Sequence, residues 1–517
     1  MSKDAAHQLQ SRLLAAQKNQ PTPKSGTMLH VPGVGSRVSA AYEQLRIAAE
    51  YTEDHLLLER AIRRFLVRNI AFHYQRNLGE IGEELVIELT QAGYLKNGTV
   101  SVDTTVAIKN YIDRYMTAYG QVRKQHIPTE TARGWILDLV SVGVTELLSP
   151  NPRLSVFTYF AYEHYLALLP QSELIADPLE ANRYEISLYV AVHRALLKSD
   201  LATVRYDLIK LYGHDPDRLP EFIRFNLDIT EVFYSKLTQR LRRAVSKYGA
   251  PFRILQRMLE DNPGVIEHLD DRRSFLAMYE QQTYIEYRGV HERLNRGLIK
   301  SIVFLLITKG VVGFGIEVPY DLITVGSVSR IPLAINLLFP PLYMATLRLG
   351  LRLPSIPNAQ ALQDYMDKTL YSDYLPLKPS LRGITKSMSG GAKILYTFVF
   401  LVPFAITVFV LSLVHFTYVQ MVIFFIFLSA ASFLGFRLSQ TIRELEIVNQ
   451  EVGFLSAMRD FFYLPFIVVG QWLSSKYAQA NIVGLFLDII IEMPLKTVLR
   501  LIRQWLRFLN ERREQIY

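Results

Sequence analysis

From Ile394 to Phe436 the chain runs 43 residues without Asp, Glu, Lys or Arg, and Lys393 and Arg437 bracket the run. A helix rises ~1.5 Å per residue, so this length would reach roughly 64 Å, about twice a ~30 Å hydrocarbon core. It reads as two membrane crossings joined by a tight turn near His415, Thr417 and Gln420. A chain with such a stretch is expected to be all-α: a polytopic helical membrane bundle of four to six spans or re-entrant segments, preceded by a large soluble helical domain.

Composition agrees with a division along the chain. Apolar residues concentrate toward the C-terminal end, and many basic residues flank the apolar segments: Arg348, Arg352, Lys378, Arg382, Lys386, Lys393 and Arg437, then Lys496, Arg500, Arg503, Arg507, Arg512 and Arg513. The formal net charge of +9 therefore fits the positive-inside rule and attraction to anionic lipid better than nucleic acid, which is not expected as a partner. The absence of cysteine excludes disulfides, thiolate metal sites and a cysteine nucleophile.

Residues 1–37, rich in Gln, Lys, Pro and Gly, lack the apolar core of a signal peptide and are expected to form a disordered cytoplasmic arm. Within it, Val31-Pro32-Gly33-Val34-Gly35 is read as a loop before a helix rather than a phosphate-holding turn. A cytoplasmic helical domain spans 38–297. Leu58, Ala61, Ile62, Phe65 and Leu66 form an apolar stripe, with Arg60, Arg63 and Arg64 on a face expected to be solvated. Further helices are expected at 78–94, 104–124, 131–148, 154–169, 181–199 and 201–212, with prolines between them, and one long helix from Pro220 to Tyr248. From Arg272 the helical pattern continues without proline into the apolar run at Ile302, which predicts one helix joining the two parts.

The first membrane hairpin is placed at 298–347, with Gly310, Gly313 and Gly315 as a close-packing face and Pro332, Pro340 and Pro341 bending its second helix. A basic cytoplasmic loop, 348–393, precedes the central hairpin, 394–436, in which Pro403 should kink one helix and Ala431 and Gly435 offer a small-residue face on the other. In 437–495 a cytoplasmic connector leads to two short apolar runs, Phe461–Leu473 and Ile482–Met493, expected as imperfect spans or a re-entrant hairpin. In 496–517, Lys496, Arg500, Arg503 and Arg507 share one face of an amphipathic helix and are candidate contacts for anionic lipid. Both termini are expected on the cytoplasmic side of an inner or plasma membrane.

Two apolar helices end on Ile-Glu-x-Pro, at Glu317 and at Glu492. An acid at membrane depth is costly and suggests function, and a proline two residues later leaves a backbone carbonyl unclaimed. Glu317, Asp488, Glu492 and Lys309 are therefore the candidate ion or proton site. The competing reading is that Glu317 and Glu492 mark solvated helix ends at the lipid boundary. Asp321 would face the same way as Glu317 only if the helix persisted past Pro319.

No catalytic, cofactor or metal site is predicted. His214-Asp215-Pro216-Asp217 is ordinary turn chemistry, Ser389-Gly390-Gly391-Ala392-Lys393 lacks the spacing of a phosphate loop, and neither His-Glu-x-x-His nor Gly-x-Ser-x-Gly occurs. The expected role is a non-catalytic, membrane-anchored scaffold or assembly subunit that binds other proteins through its helical domain. The alternative is a transporter or channel component built on the intramembrane carboxylates.

Overall fold

The computed structural model describes residues 5–18, 27–31, 39–40, 43, 56–72, 80–171, 178–324, 326–328, 330–350, 354–372, 390–447, 454–480 and 505. The fold is all-α. Among the described residues the only β feature is an isolated antiparallel bridge between Met28 and Ser101. Contacts divide the described chain into two compact units, one of Met1–Gln10 with Arg243–Ala480 and one containing Ser11–Arg242.

The Ser11–Arg242 unit is built around helix Thr129–Leu148, which buries an almost unbroken run from Trp135 to Val144. A helix apolar on every side belongs inside other helices. Helices Leu57–Phe72, Val102–Arg123 and Leu201–Tyr212 pack on it. Gly143 makes the second of these contacts possible, because a Cβ there would lie 2.2 Å from the Tyr111 hydroxyl. The expected stripe of Ala61, Ile62, Phe65 and Leu66 is buried in this core.

The arginines beside that stripe are not simply solvated, as the sequence suggested. Arg63 pairs with Asp138, Arg64 with Glu43 at 2.8 Å, and Arg68 with Glu88. The helix expected from Pro220 to Tyr248 is two helices, Leu219–Tyr234 and Lys236–Lys247. Ser235 is extended between them, and its hydroxyl accepts from the Thr238 N–H at 3.0 Å. Serine competes for backbone partners in this way and starts a new helix without a proline or glycine to announce it. In the loop at His214, Arg114 takes both Asp215 and Asp217.

The arm expected to be disordered contains helix Ala5–Lys18. Ala5, Ala6, Leu9 and Leu13 are buried, and Gln10 donates to the Ile266 carbonyl at 2.9 Å. Their spacing of three and four residues makes an apolar stripe that the Pro- and Gly-rich average of residues 1–37 concealed. Pro32 to Gly35 lie outside the described residues.

In the other unit a single helix starts where the sequence placed it. Asp271 caps its end by accepting from the Arg273 and Ser274 N–H groups, and the helix runs to Val312. It continues through a wide π turn, Gly313–Glu317, into helix Val318–Thr324. Its first part buries Phe275, Tyr279, Tyr287 and Val290 and packs on helices Ala250–Asp261 and Ile356–Tyr371. The second of these lies inside the expected basic loop, anchored by Asn358. That buried amide donates to the Tyr287 hydroxyl at 2.7 Å and the Leu445 carbonyl at 2.8 Å, and accepts from Ile447 N–H at 2.9 Å.

From Leu298 onward the character of the long helix changes. Ile299, Val303, Phe304, Ile307, Val311 and Phe314 are exposed. Arg272–Thr324 and Tyr418–Arg443 are both long and apolar enough to cross a membrane, and only 22% of the apolar stretch of the first is buried by protein. Thr397–Leu413 is apolar but shorter.

Where the central hairpin was expected, two helices, Gly390–Leu413 and Tyr418–Arg443, flank a tight turn. His415 turns the chain with φ of 60°, and Thr417 and Gln420 form a reciprocal cap. Ala431 is fully buried, and a Cβ on Gly435 would lie 2.5 Å from Leu347, so this small-residue face does seat helix Arg330–Gly350. The glycine face of the first apolar run is only partly used. Gly313 touches Leu333, whereas Gly310 and Gly315 have nothing within 4 Å of an added Cβ. The short run at 461–473 is part of a 27-residue helix, Phe454–Ala480, that packs on Tyr418–Arg443. Residues 482–493 and the side chains of Lys496, Arg500, Arg503 and Arg507 lie outside the described residues.

Candidate functional site

Of the four residues expected to form an ion or proton site, Lys309 and Glu317 come together. Eight residues along a straight α-helix are separated by roughly 12 Å of rise and about 80° of rotation. The π turn changes that register, and the long lysine stem spans what remains. Lys309 Nζ lies 3.2 Å from Glu317 Oε1. Both side chains are essentially inaccessible, at 1% and 0%. Glu317 is therefore not a solvated helix end, which corrects the competing reading.

Pro319 does not stop the helix. A proline has no N–H to donate to the preceding turn, and its ring crowds the carbonyl four residues back. A wide turn placed just before it moves that carbonyl away, and π turns of this kind recur at functional sites. The helix thus carries Asp321 onto the buried side with Glu317, at 1% exposure.

Two further residues, which the sequence reading missed, complete the cluster. Asn336, from helix Arg330–Gly350, donates its amide to Glu317 Oε2 at 2.8 Å and to the Gln420 carbonyl at 3.3 Å. Gln420 caps its own helix, accepting from Thr417 N–H through Oε1 at 3.0 Å, while its Nε2 donates to Asp321 Oδ2 at 2.8 Å. Asn336 and Gln420 are both fully buried. The Lys309 ammonium also sits over the Phe427 ring, 4.5 Å from its centre. The only signals for these two were a lone amide in an apolar helix and the Thr-x-x-Gln spacing of a cap.

The result is a buried polar cluster of two carboxylates, an ammonium and two amides, drawn from three helices. The Asn336 side-chain oxygen has no hydrogen-bond partner among the described residues. Such an arrangement can hold a proton or a small cation against carboxylate oxygen. Asp488 and Glu492 lie outside the described residues.

The Ser11–Arg242 unit holds a second polar site, an open cleft of about 1340 Å³ that reaches Glu59, Arg63, Trp135, Asp138 and Arg205. Its inner charges tie helices together. Asp138 accepts from Arg63 and from Arg205 Nε at 3.0 Å; Arg205 also donates to Asn226 Oδ1 at 2.8 Å and Thr230 Oγ1 at 3.0 Å. Glu59 receives only long bonds, from Ser141 at 3.5 Å and Thr203 at 3.4 Å.

Burial, reinforced by the Asp200 carboxylate, raises the pKa of Glu59 from 4.5 to about 8. The unfolded chain then loses this proton at lower pH than the folded chain. The stability Glu59 contributes is complete below pH 4.5 and falls progressively as pH rises to about 8. Glu59→Gln is expected to flatten that fall. At pH 8 it should raise the thermal midpoint of this unit rather than lower it, by about 2–4 °C or more for each ~1 kcal/mol recovered. Melting curves at pH 5 and pH 8 check this; a variant with the wild-type slope would show that Glu59 is ionised in the fold.

No protein-family model, no curated protein and no solved structure matches this chain.

Proposed function

We propose that the unit containing Arg243–Ala480 is a polytopic membrane bundle with both termini cytoplasmic, and that the protein is a transporter or channel component. A proton or small cation would exchange at Glu317, held there by Lys309, Asn336, Asp321 and Gln420. The observation that carries this reading is the dry ion pair between Lys309 and Glu317, in a bundle whose outward face is apolar. Burying a charged pair costs several kcal/mol per ion before attraction repays it, so hydrocarbon-facing bundles keep few such pairs without a use for them. The lipid placement draws support from the exposed belt of Ile299, Val303, Ile307 and Val311, which water would not favour.

Purified protein in liposomes tests the reading. Imposed proton or alkali-cation gradients are expected to collapse faster than in empty liposomes, and Glu317→Gln to slow this at least about tenfold, the effect of ~1.4 kcal/mol on a barrier. Equal rates for wild type and variant would refute it, and reporters that place the two termini on opposite faces would refute the topology.

The second reading is a non-catalytic scaffold or assembly subunit anchored in an inner or plasma membrane, holding other proteins through the helical unit and anionic lipid through Lys496, Arg500, Arg503 and Arg507. It is favoured by the exposed Leu227 and Tyr234 at the mouth of the cleft, where an apolar partner surface could seat. Photo-crosslinking from Tyr234 in native membranes tests it. One reproducible protein adduct supports it, and none refutes it.

A further inference from the structure

We infer that Lys309 holds, on a tether, the place of a monovalent alkali-metal cation, which enters against the Glu317 carboxylate and the Asn336 side-chain oxygen while the ammonium yields. This rests on the exchange site proposed above and names its cargo.

Four observations lead to it. The Asn336 oxygen is fully buried and without a hydrogen-bond partner among the described residues. A buried acceptor left unsatisfied is costly, and a cation removes that cost as well as a donor does. Next, each Glu317 oxygen accepts one bond, from Lys309 and from the Asn336 amide. A carboxylate offers about four lone-pair positions, so capacity remains for a metal ion beside the amide.

The donors are also all hard oxygens: carboxylate, side-chain amide and the Gln420 carbonyl. Among the described residues no group of three or more His, Asp or Glu could hold a metal, so the high-charge setting of a divalent or transition-metal site is missing. The cluster sets two carboxylates, Glu317 and Asp321, against one ammonium, so a single added positive charge evens the count while the tethered ammonium stays close by. Finally, the displaced ammonium has a seat. It already lies over the Phe427 ring, and its four-carbon stem lets it turn fully onto that face.

The test is thermal unfolding of the full chain in detergent, titrated with NaCl, KCl or LiCl against choline chloride at equal ionic strength. Wild type is expected to be stabilised by at least one alkali salt relative to choline. Lys309→Gln, which removes the built-in competitor, should reach half its shift at about tenfold lower salt or less. Glu317→Gln should respond to alkali salt and choline alike, and Asn336→Leu should respond only at higher salt than wild type.

The inference is overturned if Lys309→Gln titrates as wild type does. It is also overturned if neither of these two responds to alkali over choline, in which case the Asn336 oxygen is a water site. Flux that proceeds at the same rate in choline and in alkali salts overturns the alkali cargo but leaves proton exchange standing. Alkali binding with the expected variant pattern, in liposomes that show no flux, upholds the site and sinks the transporter.

Discussion

Asp138→Asn is expected to destabilise the Ser11–Arg242 unit by roughly 3–5 kcal/mol, the scale for removing one partner of a buried ion pair. Asp138 lies on the central helix and is the shared acceptor for Arg63 and Arg205, which come from two different helices. Arg205 is 1% exposed, and burial already lowers its pKa below the ordinary arginine value. Without the carboxylate its charge would face neutral groups alone, among them the Asn226 and Thr230 oxygens and the Trp135 ring.

The expected result is a lower midpoint for this unit in thermal or denaturant unfolding. Asp138→Leu combined with Arg205→Met should cost much less than the sum of the two single changes, because the pair is removed whole. Additive costs would mean that the three side chains do not act as one network.

Gly470→Leu should be the most damaging apolar substitution in the bundle. A Cβ at Gly470 would lie 2.2 Å from the Ser429 carbonyl oxygen and 2.7 Å from Phe433 Cβ. The nearest obstacle is backbone, which cannot swing aside as a side chain can. Helices Phe454–Ala480 and Tyr418–Arg443 would have to separate, at a cost on the order of 3 kcal/mol, the upper end of ordinary overpacking.

Gly310→Leu is the matched control, since a Cβ there meets nothing within 4 Å. Leucine is the better helix former by somewhat less than ~1 kcal/mol, so this change should be neutral or mildly stabilising. Comparing the two variants by thermal stability in detergent separates helix packing from an unpacked position. Equal losses would refute the packing between these two helices.

What could be read in advance and what could not divide along a physical line. Helix starts and stops depend on chemistry within a few residues. The start of the long helix at Arg272, the prolines between helices of the Ser11–Arg242 unit, and the turn at His415 to Gln420 were therefore all visible in the sequence. The break at Ser235 was not, because serine is tolerated inside helices as well as at their starts. Helix Ala5–Lys18 was missed for a related reason, its short stripe being averaged with the Pro- and Gly-rich residues after it.

The candidate site was half legible. Lys309 and Glu317 stood out because charge inside an apolar run is costly wherever it occurs. Asn336 and Gln420 did not, because an amide becomes part of a site only through what another helix places beside it. Asp321 was conditional on whether Pro319 ended the helix, and a wide turn decided that.

By itself, then, the sequence determined an all-helical chain, the local boundaries of most of its helices, and an apolar C-terminal region carrying an acid and a lysine inside or at the end of an apolar run. These follow from periodicity, caps and the cost of burying charge, which neighbouring residues set. The tertiary structure alone decided that Glu317 is buried rather than exposed at a helix end, that amides from two other helices close around it, and that Asp138 joins two arginines. Those are contacts between residues from 19 to 99 positions apart, and only packing brings them within bonding distance.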